Sequence, residues 1–289
     1  MSPASSGDGA SAAQGRLIVN ADDFGETEPI TAGIASCIEA GVVTSTTILS
    51  NMPATKRALA WAAPRSRDRR TSFGVHLNLC EGRPLTAARS LVADDGCFRP
   101  KRTQAVYALL RRLDPDDVAQ ELRAQIDRVR DAGVEISHLD GHKHLHQLPG
   151  VGAVVARLAP EVGIERVRCT LEEGDAPPGL GAASSLARAV RQRFARRFSR
   201  EASARGLRHP ARTLAVTLLM APGEDAAHVA LLRCPGAVTE MFCHPGDARA
   251  DADKPGSARR FDELRFLGSG ALQRLCALAD VRLASFWDV

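Results

Sequence analysis

The chain of 289 residues is long for an ordinary domain but normal for one α/β barrel. Its apolar fraction of 44% supports a large core, and an aromatic fraction of only 4% means that aliphatic side chains must fill it. The formal charge is +4, and nearly all of the 38 basic residues are arginine, without an RNP, zinc-finger or basic-zipper pattern, so no nucleic-acid partner is expected. No apolar run approaches the roughly 20 residues of a membrane span. Seven cysteines without a C-x-x-C spacing predict reduced thiols and a cytoplasmic protein.

In chain order, residues 1–15 (MSPASSGDGASAAQG) lack a basic start and an apolar centre and read as a disordered leader. The β-prone run RLIVNA follows. Next comes a helix with Ile30, Ile34 and Ile38 at every fourth position, Pro29 in its first turn and Gly41 just past its end. VVTSTTILS reads as a strand, 54–62 as a short helix, and TSFGVHLNL as a strand. Asp114 and Pro115 open a helix that closes at Gly133. VEISHLDGH is a strand, GVGAVVARLAPEVG a helix and ERVRCT a strand. A Pro/Gly-rich loop at 174–181 precedes an Arg-rich helix near 183–204. RTLAVTLLM is apolar, AVTEMFCH a strand, 259–279 a broken helix and VRLASFWDV a last strand.

This alternation predicts an α/β, single-domain, (β/α) barrel-like fold with about seven or eight parallel strands, spanning 16–289 with a helical insertion near 175–210. In such folds the C-terminal ends of the strands face one mouth. The titratable residues collect there: Asp22 and Asp23 after LIVNA, His76 and Asn78 in GVHLNL, Asp140, His142, His144 and His146 in the run DGHKHLH, and His244 in CHPG. Two adjacent carboxylates repel unless a cation intervenes. With imidazoles they make an open divalent-metal set in which one carboxylate binds the ion and the other acts as base. Spacing does not distinguish His142 from His144 as a ligand.

Taken together and in this order, N-A-D-D-F-G, AGVVTSTTILSN, G-V-H-L-N, GRPLT (82–86), D-G-H-K-H-L-H and C-H-P resemble the YdjC/ChbG-like carbohydrate deacetylases. The similarity is dense from about 16 to 150 and returns at 238–289. The resemblance implies a metal-dependent hydrolase that removes the N-acetyl group from an N-acetylglucosamine-type amino sugar. It implies Asp22 as catalytic base, His244 as general acid, and Asp23, His76 and His142 as ligands of one divalent ion (Zn, Mg, Mn, Ni or Co). Asn78, Asp140, His144 and His146 would bind substrate or support the ligands.

Residues 171–235 depart from the chitooligosaccharide-acting members and resemble the hopanoid-biosynthesis branch, which implies a glycolipid substrate. The alternatives are a chitooligosaccharide deacetylase and a two-metal phosphoesterase. In SLARAVRQRFARRFSRE, Leu186, Val190, Phe194 and Phe198 share one side of a helix whose remainder is arginine. Such a helix either packs on the barrel or lies at an anionic lipid surface, which would place the protein peripherally at the inner membrane face. A homo-oligomer is compatible with the sequence.

Overall fold

The computed structural model describes residues 14–172, 182–223, 225–233, 235–247 and 256–289. Most of the expected leader, the 174–181 loop and Cys234 lie outside the described residues. Among the described residues seven strands form one sheet: β1 (Gly15–Phe24), β2 (Ser45–Ile48), β3 (Ser72–Leu77), β4 (Ile136–Gly141), β5 (Arg212–Ala215), β6 (Val238–Cys243) and β7 (Val281–Ala284). Their order is β4-β3-β2-β1-β6-β5, with β7 also beside β1, and every pairing is parallel.

Helices follow the strands, as parallel connections require: α1 (Glu28–Glu39), α2 (Thr55–Arg65), α3 (Lys101–Leu109), α4 (Pro115–Asp131), α5 (Val151–Glu161), α6 (Ala182–Ser203), α7 (Thr217–Met220), α8 (Asp225–Leu232), α9 (Ser257–Gly268) and α10 (Ala271–Ala279). The local signals act as expected. Asp114 caps α4 by accepting from Asp116 N at 2.9 Å, and Val118, Leu122, Ile126 and Val129 bury its inner stripe. None of the described helices is long and apolar enough to cross a membrane.

Two expectations change. ERVRCT is not a strand. Its backbone bonds first to Leu139 of β4, then to Arg208, and Leu171 accepts from Thr213 of β5. The stretch 165–171 thereby fills the gap between β4 and β5 without holding one ladder long enough to count as a strand. The last strand stops at Ala284, because Ser285 caps a 3-10 turn over Phe286–Asp288. RTLAVTLLM is split into β5 and the short α7.

The apolar stripe on α6 also divides. Phe198 is buried and sits edge-on to His146, whereas Leu186 and Val190 are 67% and 42% exposed. A Cβ on Gly152 would stand 3.1 Å from the Phe198 ring, so α5 and α6 approach closely there. One face of the C-terminal half of α6, with Ala195, Phe198 and Ala202, is therefore core, Phe194 is half-buried, and Phe198 is not available to a lipid surface.

Strand alternation sorts two interiors. From β1, Leu17, Val19 and Ala21 join the large apolar layer under the helices. Ile18 faces the other way into a small cluster with Val238, Ala284 and Phe286. Further along the same inner face come Asn20 and Asp22, both buried. The barrel interior is thus apolar at its base and polar toward its mouth.

His138 lies at that base. Its ring stacks on Phe286 at 3.5 Å, and Gly74 makes room for it: a Cβ there would meet His138 Cε1 at 2.5 Å. Gly74→Ala is expected to cost about 1–3 kcal/mol by overpacking. The cost should shrink in a His138→Ala background, as read by urea denaturation of the four-member cycle.

Candidate active site

Neighbouring residues on a regular strand point to opposite faces. Asp22 and Asp23 nonetheless line the same cavity, of about 690 Å³. The β1–β2 register breaks between Ala21 and Phe24, and Asp23 adopts a left-handed φ of 71°. An irregularity of this kind re-aims side chains at a strand end, and Asp tolerates the left-handed region better than most residues. This local break brings both carboxylates to one site.

Asp23 Oδ1 is buried and has no hydrogen-bond partner among the described residues. It lies 2.9 Å from His142 Nδ1 and 3.3 Å from His76 Nε2. One oxygen and two nitrogens, all within 4.8 Å of one another, form a set that fits a divalent cation with an open side toward the cavity. His144 is not part of it; half-buried, it lines the cavity edge-on to His146 and Phe242.

Supporting groups hold the three. His76 Nδ1 is 2.8 Å from Asp140 Oδ2 and 3.0 Å from Thr47 Oγ1, an imidazole–carboxylate pair of the kind that fixes ligand orientation. Arg260 Nη2 donates to Asp23 Oδ2 at 2.6 Å and to Glu26 at 2.8 Å. Burial alone would push the Asp23 carboxyl up, but His142, His76 and Arg260 outweigh it and hold it well below the usual range. Burial likewise disfavours charge on His76 and His142, yet the carboxylates beside them raise both to about 9. The site is organised around positive charge placed among carboxylates.

The largest group missed by the sequence reading is Arg168, which is fully buried. Its guanidinium grips both oxygens of Asp22 at 2.8 and 2.7 Å, Asp140 at 2.5 Å and Glu240 at 2.7 Å. Burial raises the Asp22 carboxyl, but Arg168 more than offsets this and leaves it below its ordinary value. Glu240 is deeper, and burial lifts it to about 7 despite the same partner. Asp22, His76 and Asp140 also offer a close set of donor atoms. Both oxygens of Asp22 and Oδ2 of Asp140 are already committed to the guanidinium, so a second cation there would face a fixed positive charge. A signal was present: Arg168 and Glu240 are charged residues in the middle of β-prone runs.

His244 follows β6, its Nε2 is 3.7 Å from Asp22 Oδ2, and its Nδ1 is 3.9 Å from Glu263, which also accepts from its backbone N–H. His146 Nε2 meets the Arg168 carbonyl at 3.0 Å, and burial pushes its imidazole down, so it supports rather than lines the site. Asn78 is buried in hydrogen bonds to the 80–81 turn rather than facing the cavity. Glu81, Lys143, Lys101 and Arg260 line the cavity and were not anticipated.

The YdjC-like protein family matches residues 16–278. A carbohydrate deacetylase of Geobacillus stearothermophilus is 39% identical over 142 residues, covering 49% of this chain and 55% of that protein. A human carbohydrate deacetylase is 38% identical over 164 residues, covering 55% and 50%. The chain thus spans about half the length of these relatives. A Vibrio cholerae carbohydrate deacetylase is 28% identical over 273 residues, 94% of this chain and 95% of that one. Among solved structures, an Enterococcus faecalis V583 protein, provisionally described as a cellobiose-phosphate cleavage protein, shares the fold. Its TM-score is 0.72 at 22% identity, covering 96% of this chain and 99% of that one.

Arg168→Met should be strongly destabilising, by about 3–5 kcal/mol, because three buried carboxylates lose their cation. Adding Glu240→Gln and Asp140→Asn to that variant should restore part of the stability. Chemical denaturation of the set reads both effects.

Proposed function

Because the chain belongs to the YdjC-like family and carries an ionised Asp22 beside the Asp23–His76–His142 set, we propose that it is a divalent-metal-dependent carbohydrate N-deacetylase. The observation that carries this reading is the pairing of one carboxylate that bonds an arginine with another whose buried oxygen faces two imidazoles. The first suits a base and the second a ligand.

Asp23, His76 and His142 would hold the ion, which supplies Lewis acidity toward the acetyl carbonyl and acidifies water. Asp22 takes a proton from the attacking water as the new C–O bond forms at the acetyl carbon. Arg168 keeps Asp22 ionised and aimed for that step. His244, partly exposed at the cavity wall, protonates the departing nitrogen as the C–N bond breaks. The products are acetate and a free amino sugar. A two-metal phosphoesterase is disfavoured by the guanidinium that occupies the second set of carboxylates.

The finer reading is a substrate whose N-acetylglucosaminyl group is carried on a hopanoid lipid. What supports it is the resemblance of the 171–235 segment to that branch, together with Leu186 and Val190, which stand exposed on α6 among exposed arginines. Chitooligosaccharides are the competing substrates.

Acetate release from a panel of soluble and lipid-linked N-acetylglucosaminyl compounds tests the reaction. Chelation should abolish it, and re-addition of Zn, Mg, Mn, Ni or Co should identify the ion. Turnover confined to short chitooligosaccharides would remove the lipid reading, and no release from any compound would remove the deacetylase.

Asp22→Asn should leave one metal ion per chain by elemental analysis while turnover falls about 10²–10⁴-fold. Asp23→Ala and His76→Ala should lose ion and activity together, with the fold retained. His144→Ala should keep the ion.

His244→Gln should depress kcat more than KM, because its proton is needed only as the nitrogen departs. Steady-state kinetics on any accepted substrate checks this.

A further inference from the structure

His142 presents two ring edges, and only one faces the other two donors. Nδ1 lies 2.9 Å from Asp23 Oδ1, while Nε2, buried at the opposite edge and without hydrogen-bond geometry to any described residue, stands 3.2 Å from Glu81 Oε2, close enough for the carboxylate to act on it by charge. The other Glu81 oxygen pairs with the Lys143 ammonium. The ring's neighbour His76 meets it edge-on at 5.3 Å, a contact that does not tell one ring nitrogen from the other. Glu81 is the acidic group placed at the Nε2 edge.

The Glu81 backbone is itself held by a framework of side-chain amides. Asn78 Oδ1 accepts from the backbone N–H groups of Cys80 and Glu81, at 3.0 and 3.1 Å, and its Nδ2 donates to the Glu81 carbonyl at 2.8 Å. Asn51 donates to the same carbonyl at 3.2 Å. Gln125 fixes the Asn78 backbone from both sides, accepting from its N–H at 2.8 Å and donating to its carbonyl at 2.7 Å. On the opposing loop, Lys143 and His144 are consecutive left-handed residues, at φ 53° and 60°. Residues with a Cβ rarely adopt that conformation. It is maintained where Lys143 reaches Glu81.

We infer that Glu81 is a positioning residue for His142, holding the Nε2 edge so that the Nδ1 lone pair stays turned toward Asp23 and His76. This rests on the reading of those three residues as a metal set. The physical reason is tautomeric. A carboxylate beside Nε2 favours the proton there, which leaves Nδ1 as the donor to a cation. Without it the neutral imidazole is free to carry its proton on Nδ1 or to turn a carbon toward the ion. The asparagine of the GVHLN motif then acts two steps from the site, through Glu81, rather than on substrate.

The test is metal affinity rather than turnover. Apparent Kd values for Zn²⁺ and Co²⁺, from chelator competition on the full chain, should rise about 10–100-fold in Glu81→Ala. Glu81→Gln, which keeps an oxygen beside Nε2, should recover most of the loss. The visible absorption of bound Co²⁺ should change in Glu81→Ala and return toward wild type in Glu81→Gln. In a His142→Ala background, Glu81→Ala should add little. Wild-type affinity and an unchanged Co²⁺ spectrum in Glu81→Ala would overturn the inference. So would a loss beyond about 1,000-fold that Glu81→Gln does not relieve, since that marks a direct ligand. Absence of any divalent binding by the wild-type chain would instead overturn the metal reading itself.

Discussion

A guanidinium with no solvent exposure sits among Asp22, Asp140 and Glu240, and the upper barrel interior is arranged around it. Three carboxylates cannot remain ionised in one dry space without a cation, and a lone buried arginine would be equally costly. Arginine suits the position because its planar fork offers five donors at fixed angles, enough to serve three acids at once. The irregular path of 165–171 follows from this. The segment must fill the gap between β4 and β5 while delivering one long side chain to the centre, and its carbonyl at Arg168 is received by His146.

That cation joins two functions usually described apart. Arg168 bonds both oxygens of Asp22 and also Asp140, and Asp140 in turn meets His76. The orientation of the proposed base and of one proposed ligand therefore depends on a single side chain. On the other side, Arg260 secures the second oxygen of Asp23 and leaves the first bare. Each aspartate has its own arginine, and this separates two chemically identical neighbours into different roles. Asp22 has both oxygens bound, whereas Asp23 keeps one oxygen open beside two imidazoles.

The backbone contributes through local departures from regularity. A straight β1 would have sent Asp23 toward the apolar layer under the helices that Leu17, Val19 and Ala21 join. The register break and the left-handed φ of Asp23 prevent that. A similar departure at Lys143 and His144 turns the chain after His142 and leaves His144 beside Phe242 rather than in the donor set. Left-handed residues thus lie at the end of β1 and directly after His142, beside two of the three donors, a placement in keeping with function drawing on a rigid sheet.

The sequence by itself determined the alternation of strands and helices, the end signals Pro29 and Gly41 of α1 and the Asp114 cap of α4, the parallel barrel-like sheet, and the gathering of Asp22, Asp23, His76, His142 and His244 at strand ends. These follow from periodicities of two and of about 3.6 residues and from local hydrogen bonds, which act over a few positions. It marked Arg168 and Glu240 only as charges inside β-prone runs and did not disclose their pairing or the place of Glu81, because a charged residue's partners, many residues distant in the chain, must be in place first. It also could not divide the α6 stripe into exposed Leu186 and buried Phe198, since helical spacing defines a face but not what covers it. Only the tertiary structure decided which carboxylate met an arginine on both oxygens and which imidazole faced the bare one. That choice depends on distances between loops set by the closure of the barrel, and no local pattern encodes them.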